Sequence, residues 1–521
     1  MPDHHVAIIG AGIGGLAAAI EAAAAGARVT VVEAADGPGG KLRQVAVGGI
    51  GIDAGPTVLT LAGVFEALFA RAGLRLADVL TLVPQPILAR HWWTDGTILD
   101  LHADPERTAA AIEAFAGPAE ARGFEAFRRH TARTYATLAE PFLEGPRPAN
   151  PLALMVRGGW SRLPGFLRIQ PYTRFWDALD GFFADPRLKQ LFGRYATYCG
   201  SSPFAAPATL MLVAHVEQQG VWAVAGGMGR LAAALAEAAT RLGVRFRYGT
   251  AVTGIATAQG RVTGLRTADG FIAADAVVAN CDAAALAAGL LGPEVTGATA
   301  PMPVATRSFS AVTVAGLGAA VGCGLLRHNV FFSGDSPAEF ATLAAGRMPD
   351  EPTVYLCAQA RGASASELAP GAPEPFLLIA NAPALGDARP FTPSETLACE
   401  ERIFRHLARC GLTLTRQPGA TQVSTPADFS ARYPGTGGAL YGRASHGWMA
   451  SFRRPGSRTR IPGLYLAGGS AHPGAGVPMA ALSGRLAAKA LVADLASTRR
   501  FRPGATIGGT SMRSATTAGK G

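Results

Sequence analysis

The 521-residue sequence predicts an α/β fold, in which a Rossmann-like domain is interleaved along the chain with a mixed α+β second domain. Three observations predict it. A single hydrophobic core stops growing at roughly 250 to 300 residues, so this length calls for more than one folding unit. A strand, a glycine-rich loop, a helix and a second strand follow one another in "VAIIGAGIGGLAAAIEAAAAGARVTVVEA", Val6 to Ala34. A strand, a glycine-rich turn and a helix then recur near the far end, in "GLYLAGGSAHPGAGVPMAALSGRLAAKALVADL", Gly463 to Leu495.

The first unit has the order of a dinucleotide site. Gly10 permits a tight turn after the strand, Gly12 lets a pyrophosphate approach the backbone, and Gly15, with Gly14 beside it, lets helix and strand pack closely. The helix N-terminus offers N–H donors to an anion. Glu33, at the end of the second strand, is placed to accept hydrogen bonds from ribose hydroxyls. NAD and FAD share the adenosine half that such a unit binds, so the unit alone leaves both open. The continuation "DGPGGKLRQ" adds Gly39, Gly40 and the cation Lys41, and "IDAGPTVLT" adds a further turn at Gly55, Pro56 and Thr57.

At this point the chain resembles the flavin-containing amine oxidase and phytoene desaturase superfamily, whose members run from the acidic residue into a Gly-Gly-Arg segment along FAD. Lys41 stands here for that arginine and keeps the charge without the bidentate fork. FAD gives the second glycine loop a purpose. One end of the cofactor needs a pyrophosphate cradle, and the isoalloxazine needs its own donors, which Gly468, Gly469, Gly474, Gly476 and Val477 at a helix start would supply. The stretch from Gly463 to Ser483 also resembles the signature of bacterial-type phytoene desaturases. "GVWAVAGGMGRLAAALAEAATRLGVRFRYGTAVTGI", Gly220 to Ile255, is similar to that family's central return to the FAD domain, with Val252 near the adenine, and "RHNVFFSGD" resembles another of its blocks. "ARHWWTDGTILDL" and "LFGRYATYCGSSPF" look more like the 1-hydroxycarotenoid 3,4-desaturases, the hydroxyneurosporene and methoxyneurosporene desaturase subgroup of purple bacteria.

This resemblance implies an FAD-dependent oxidoreductase of carotenoid biosynthesis that removes two hydrogens across C3–C4 of a 1-hydroxylated acyclic carotenoid such as 1-hydroxyneurosporene or rhodopin. Loss of hydride from an allylic C4 leaves a cation spread along the polyene, so a strong base is not obligatory. The enzyme's tasks are then positioning and water exclusion. No catalytic base is identified; His472, His91 and Arg194 are the candidates to face the reaction. The electron acceptor is left between a quinone and oxygen. Rival readings are a phytoene-type desaturase, a carotenoid isomerase of the same superfamily, and a flavin-free lipid-binding escort protein.

Segments 1–75, 220–300 and 415–495 are expected to form the FAD-binding domain, with 76–219 and 301–414 as the substrate domain and 496–521 as a disordered basic tail. Residues 76–219 read as mainly helical. Net charge is +10, and the acid-free run from Gly145 to Trp176 alternates Arg147, Arg157, Arg162, Arg168 and Arg174 with apolar residues. That pattern suits an anionic membrane surface or a solvated basic face, and a water-insoluble C40 substrate favours the first. No nucleic-acid motif accompanies the charge. The six cysteines fall singly without metal-ligand spacing, and no metal site is expected. With no signal peptide or spanning helix in the pattern, the expected location is cytoplasmic, peripheral to the inner or intracytoplasmic membrane.

Overall fold

The computed structural model describes residues 4–362 and 371–500. Five parallel strands gather from distant parts of the chain in the order Leu464–Leu466, Ala276–Ala279, His5–Ile9, Arg28–Val32 and Arg245–Arg247. Their near-continuous apolar runs follow from burial on both faces. Val6, Ile8, Val29 and Val31 pack under the helices Ile13–Ala24, Gly229–Arg241 and Val477–Arg500. Ala7, Ile9, Val32 and Val277 face the antiparallel sheet of Val252–Ala258, Arg261–Thr267 and Gly270–Ala273.

A mixed sheet of seven strands forms a second layer, in the order Thr413–Ser424, Ser310–Val321, Pro373–Ala382, Val354–Ala358, His328–Phe331, Ile87–Trp92 and Ile98–His102. The helix Pro393–Arg409 covers one face through Ile403 and Leu407. Its Thr392 and Glu395 cap each other reciprocally. A helical subdomain, including Pro118–Leu138, closes around an aromatic core of Phe124, Phe127, Phe183 and Phe192.

Two sequence-derived boundaries and the reading of one segment need adjustment. A domain border at 415 would cut the strand Thr413–Ser424, which pairs with Ser310–Val321 and so belongs to the seven-stranded sheet. Within 76–219, Ile87–Trp92 and Ile98–His102 are strands, because Asn329–Phe331 offers Arg90–Trp92 a parallel edge to join. The helix that begins at Val477 continues to Arg500, past the expected start of the tail at 496, and the rest of that tail lies outside the described residues.

Candidate active site and cofactor cleft

Four strands of the parallel sheet end on residues that converge at its carboxyl edge: Gly10, Glu33, Asn280 and, after Ala467, Gly468. Ligands bind at this edge in open α/β sheets. Gly10 holds a φ of +90°, and its N–H donates to Val32 O at 2.8 Å. A Cβ on Gly15 would lie 2.1 Å from Gly10 O, so the helix can start here only with glycine. Gly12 is the N-cap of that helix and supplies no side-chain cap, which leaves first-turn N–H groups for an anion. Gly39 and Gly40 run beside Gly12, with Gly39 N–H donating to Ala11 O at 3.0 Å. The result is a cradle of glycine backbone, and a dinucleotide pyrophosphate fits such a cradle.

Glu33 is half-buried, and its carboxylate accepts from Ala11 N–H at 2.7 Å and Ala35 N–H at 2.8 Å. These bonds fix its direction and leave lone pairs on both oxygens. Thr250 N–H donates to Glu33 O, which brings Val252, two residues on, toward the same end of the cleft. Asn280 belongs to no sequence motif named above. Its Nδ2 donates to Gly10 O at 3.2 Å, and its side chain would crowd a Cβ on Gly12, Gly14, Gly15 or Gly468. The signal available was its position at the end of the apolar run Ala276–Ala279.

The second glycine loop divides between two places. Gly468 lies against the first loop, since a Cβ on Gly14 would meet Gly468 N at 2.7 Å. Further along, a Cβ on Gly484 would lie 2.1 Å from Gly14 O, so the two loop helices cross in close contact. Gly474, Gly476 and Val477 instead line a cavity of about 780 Å³, together with Lys41, Gly55, Pro56 and Thr57. Gly55 is required there because a Cβ would lie 2.0 Å from Lys41 O.

Two cations stand at this end of the cavity. The Lys41 ammonium donates to Leu440 O and lies over the Tyr433 ring. Arg454 is buried and donates to Tyr441 O, Arg443 O and Gly469 O, the last at 2.8 Å. Burial depresses the pKa of both, with Asp282 acting in the opposite direction on each. Together with the helix start at Val477, they make this end receptive to negative charge.

Of the three candidates for catalysis, the structure brings only Arg194 to the cavity wall. His91 is fully buried, donates from Nδ1 to Leu99 O at 3.1 Å and stacks on Phe332. His472 is buried and donates from Nε2 to Phe142 O at 2.7 Å and Gly145 O at 3.0 Å, away from the cavity. Burial lowers its pKa to about 4, so the ring is neutral and pins the second loop to the segment Ala139–Leu143 and the residues after it. Arg194 lies over the Tyr198 ring at 5.0 Å, and Tyr195 and Tyr198 both donate to the buried Glu217. The carboxylates on the cavity wall, Glu217 and Glu339, are each held by hydroxyl donors, Glu339 by Ser333 and Thr353. Among the described residues no group of three His, Cys, Asp or Glu side chains is arranged for a metal.

The remaining wall is largely apolar, and Leu167 and Tyr172 both line it and are exposed to solvent, which marks its mouth. Trp160 (89 % exposed), Val156 and Leu152, in the same stretch of chain as Leu167 and Tyr172, are exposed apolar side chains too. No helix among the described residues is long and apolar enough to cross a membrane.

Residues 13–492 match the family described as flavin containing amine oxidoreductase. The chain belongs to this family. FAD is the cofactor. Within the family, the chain is 49 % identical over 520 residues to a hydroxyneurosporene desaturase of Rubrivivax gelatinosus, covering 99 % of this chain and 98 % of that one. It is 46 % identical to a hydroxyneurosporene desaturase of Rhodobacter capsulatus, with 94 % and 98 % covered. A 4,4'-diapolycopene oxygenase of Methylomonas sp is 32 % identical, with 95 % and 99 % covered. Among solved structures, an oxidoreductase from Methanosarcina mazei superposes with a TM-score of 0.58 at 16 % identity, covering 92 % of this chain and 98 % of that one. Wild-type putrescine oxidase does so with a TM-score of 0.58 at 15 % identity, covering 95 % and 99 %. At such identities the likeness to these structures is one of fold.

Proposed function

We propose that the protein is an FAD-dependent desaturase that forms the C3–C4 double bond of 1-hydroxylated acyclic carotenoids. The observation that carries this reading is near full-length identity of 46 to 49 % with hydroxyneurosporene desaturases. In this reading the pyrophosphate is held by Gly10, Gly12, Gly14 and Gly15, and the ribose by Glu33, with Gly39 and Gly40 alongside. The isoalloxazine end is held by Lys41, Gly55, Pro56, Thr57, Gly476 and Val477. Gly468 and Gly469 join the two ends. The flavin supplies a two-electron acceptor, and a quinone or oxygen takes the electrons onward.

The chain's own part is to hold a polyene and exclude water. An apolar wall serves both, because a cation spread over a conjugated chain is quenched by water and needs little help from a base. The hydroxyl-bound states of Glu217 and Glu339 fit that requirement, since neither offers a free carboxylate to the developing cation. The test is incubation of the FAD-loaded protein with 1-hydroxyneurosporene and with rhodopin in liposomes, followed by absorption spectra of the extracts. A red shift from one added conjugated double bond is expected. An unchanged double-bond count would replace the desaturase reading with isomerisation, and a purified protein without flavin colour would replace it with an escort role.

We further propose that the mouth docks on a membrane and draws substrate from it. The exposed apolar side chains there support this reading, and the adjacent arginines alter its balance. Arg147 donates to Phe452 O, Arg157 donates to Pro141 O and Pro146 O, Arg162 pairs with Glu140 and Arg174 with Asp177, so four of the five cations expected to face lipid are already engaged. Apolar insertion therefore contributes more than charge. Replacing Trp160, Val156 and Leu167 by serine should lower the liposome-bound fraction at least tenfold, at about 1.5 to 3 kcal/mol per apolar side chain fully buried. The Arg157, Arg162 and Arg168 triple glutamine variant should lower it less. Flotation of both variants on anionic vesicles measures this, and unchanged flotation of the serine variant would rule out the mouth as the docking face.

A further inference from the structure

On the largely apolar cavity wall, His328 and Tyr355 form a polar pair that the flavin does not account for. His328 and Tyr355 stand on neighbouring antiparallel strands in diagonal register, His328 opposite Cys357 and Tyr355 opposite Val330, so their side chains share one face of the sheet. The rings stack at 6.2 Å, and His328 Nδ1 meets Tyr355 OH at 2.8 Å. Tyr355 OH in turn meets Thr57 Oγ1 at 2.6 Å, which ties the pair to the turn beside Lys41. His328 is 3 % exposed and lines the cavity, yet its Nε2 has no hydrogen-bond partner in the protein. Arg194, on the same wall, likewise has a buried Nε without a partner.

Two orphaned buried polar atoms on this wall cost stability unless a ligand satisfies them. Burial, with the charges of Arg327 and Arg194, lowers the His328 pKa to about 3 and keeps its ring neutral. The Tyr355 and Thr57 hydroxyls can each donate or accept, so the His328 tautomer can reverse, and Nε2 can present either a proton or a lone pair. Arg194 Nε can only donate. A hydroxyl group answers both at once, since it accepts from Arg194 while exchanging either kind of bond with His328. A hydrocarbon end would leave both atoms unsatisfied. A carboxylate would duplicate Glu217, which already faces Arg194 through Tyr198.

We infer that His328 Nε2 and Arg194 Nε form the binding site for the hydroxyl group at C1 of the substrate, and that this site selects hydroxylated over plain acyclic carotenoids. The inference rests on the reading given under Proposed function. The hydroxyl-bearing carbon is two bonds from C3, so the residues that hold the hydroxyl also set which carbon–carbon bond reaches the cofactor end of the cavity. Tyr355 and Thr57 act as positioning residues, through His328.

The experiment compares dissociation constants for 1-hydroxyneurosporene and neurosporene, read from the shift of the polyene absorption bands on binding to the FAD-loaded protein. Wild type should prefer the hydroxylated form by about 10- to 100-fold. His328→Leu should bring the ratio close to one by weakening the hydroxylated carotenoid alone. Tyr355→Phe, which removes one oxygen from the sheet face, should lower the ratio in part, and His328→Gln should restore part of it. Flavin content checks that each variant is folded. A wild type that binds both carotenoids equally, or variants that weaken both to the same extent, would overturn the inference even if desaturation proceeds. Conversely, a protein that keeps the hydroxyl preference but never adds a double bond would overturn the desaturase reading and leave this one standing.

Discussion

Replacing Gly476 by valine is expected to cut turnover by a hundredfold or more while most of the flavin stays bound. Gly476 sits at φ +111°, a conformation that a β-branched residue does not hold, and it precedes the helix Val477–Arg500 on the cavity wall. A Cβ there would have space, its closest neighbour being Met479 Cγ at 3.8 Å, so the damage comes from the backbone turning and not from crowding. Turning moves the N–H groups of Val477 and Met479, which no side chain among the described residues accepts from. Loss of one well-aimed donor of this kind costs about 3 to 4 kcal/mol at the transition state. The adenosine end, held elsewhere, should keep its grip. Flavin content, flavin reduction potential and single-turnover reduction by 1-hydroxyneurosporene measure the split. Wild-type turnover would reduce this turn to a connector, and a folded protein without flavin would show that the two loops do not share the cofactor.

Gly12→Val should act the other way and empty the site. Gly12 has φ −71° and ψ 171°, which any residue adopts, so a valine there meets no backbone strain. Its side chain instead enters the cradle, with Cβ 3.0 Å from Asn280 Nδ2 and Gly40 alongside. Overpacking of this kind costs about 1 to 3 kcal/mol, or roughly 10- to 100-fold in FAD affinity. Flavin at a hundredfold excess over its dissociation constant stabilises a protein by about 2.7 kcal/mol, and most of that increment should vanish. Melting with and without added FAD, beside flavin content, tests it. Glu33→Ala should weaken binding less, since the backbone cradle survives. Stoichiometric flavin in both variants would show that the cradle lies elsewhere.

The flavin-binding half of the molecule was legible because its chemistry is local. Gly10 to Gly15, Glu33, and the strand and helix between them are consecutive, and their spacing carries the meaning. Gly468 and Gly476 were readable for the same reason, although only the structure separates the first, which leans on Gly14, from the second, which faces the cavity. The substrate side was not legible in this way. His328 and Tyr355 meet through sheet register, which no local pattern encodes, and Thr57 and Arg194, read from the sequence for other roles, reach the same wall from distant segments. His91 and His472 misled because an aromatic cluster or a glycine-rich neighbourhood marks a side chain as interesting without saying which way it points. Both turned into carbonyl-bonded interior rings. Asn280 was overlooked since a lone asparagine after four small apolar residues becomes informative only once those residues are known to be a middle strand of the parallel sheet.

The contact of Gly14 with Gly468 and Gly484 bears on how the protein is made. The strand His5–Ile9 leaves the ribosome early, but its neighbour Ala276–Ala279 needs Leu464–Leu466 for its outer edge, and those residues are translated more than 450 positions later. Domains normally fold as they emerge, N-terminal first. Here the nucleotide half cannot, because its outer strand and one of its covering helices arrive last. Until then the Ile13–Ala24 helix lacks its contact with Val477–Arg500 along Gly14, Ala17 and Ala18, and that small-residue face stays open. Flavin loading is therefore expected only after Val477–Arg500 has been made, and a chain cut before Val477 should yield no holoprotein, however intact its first glycine loop.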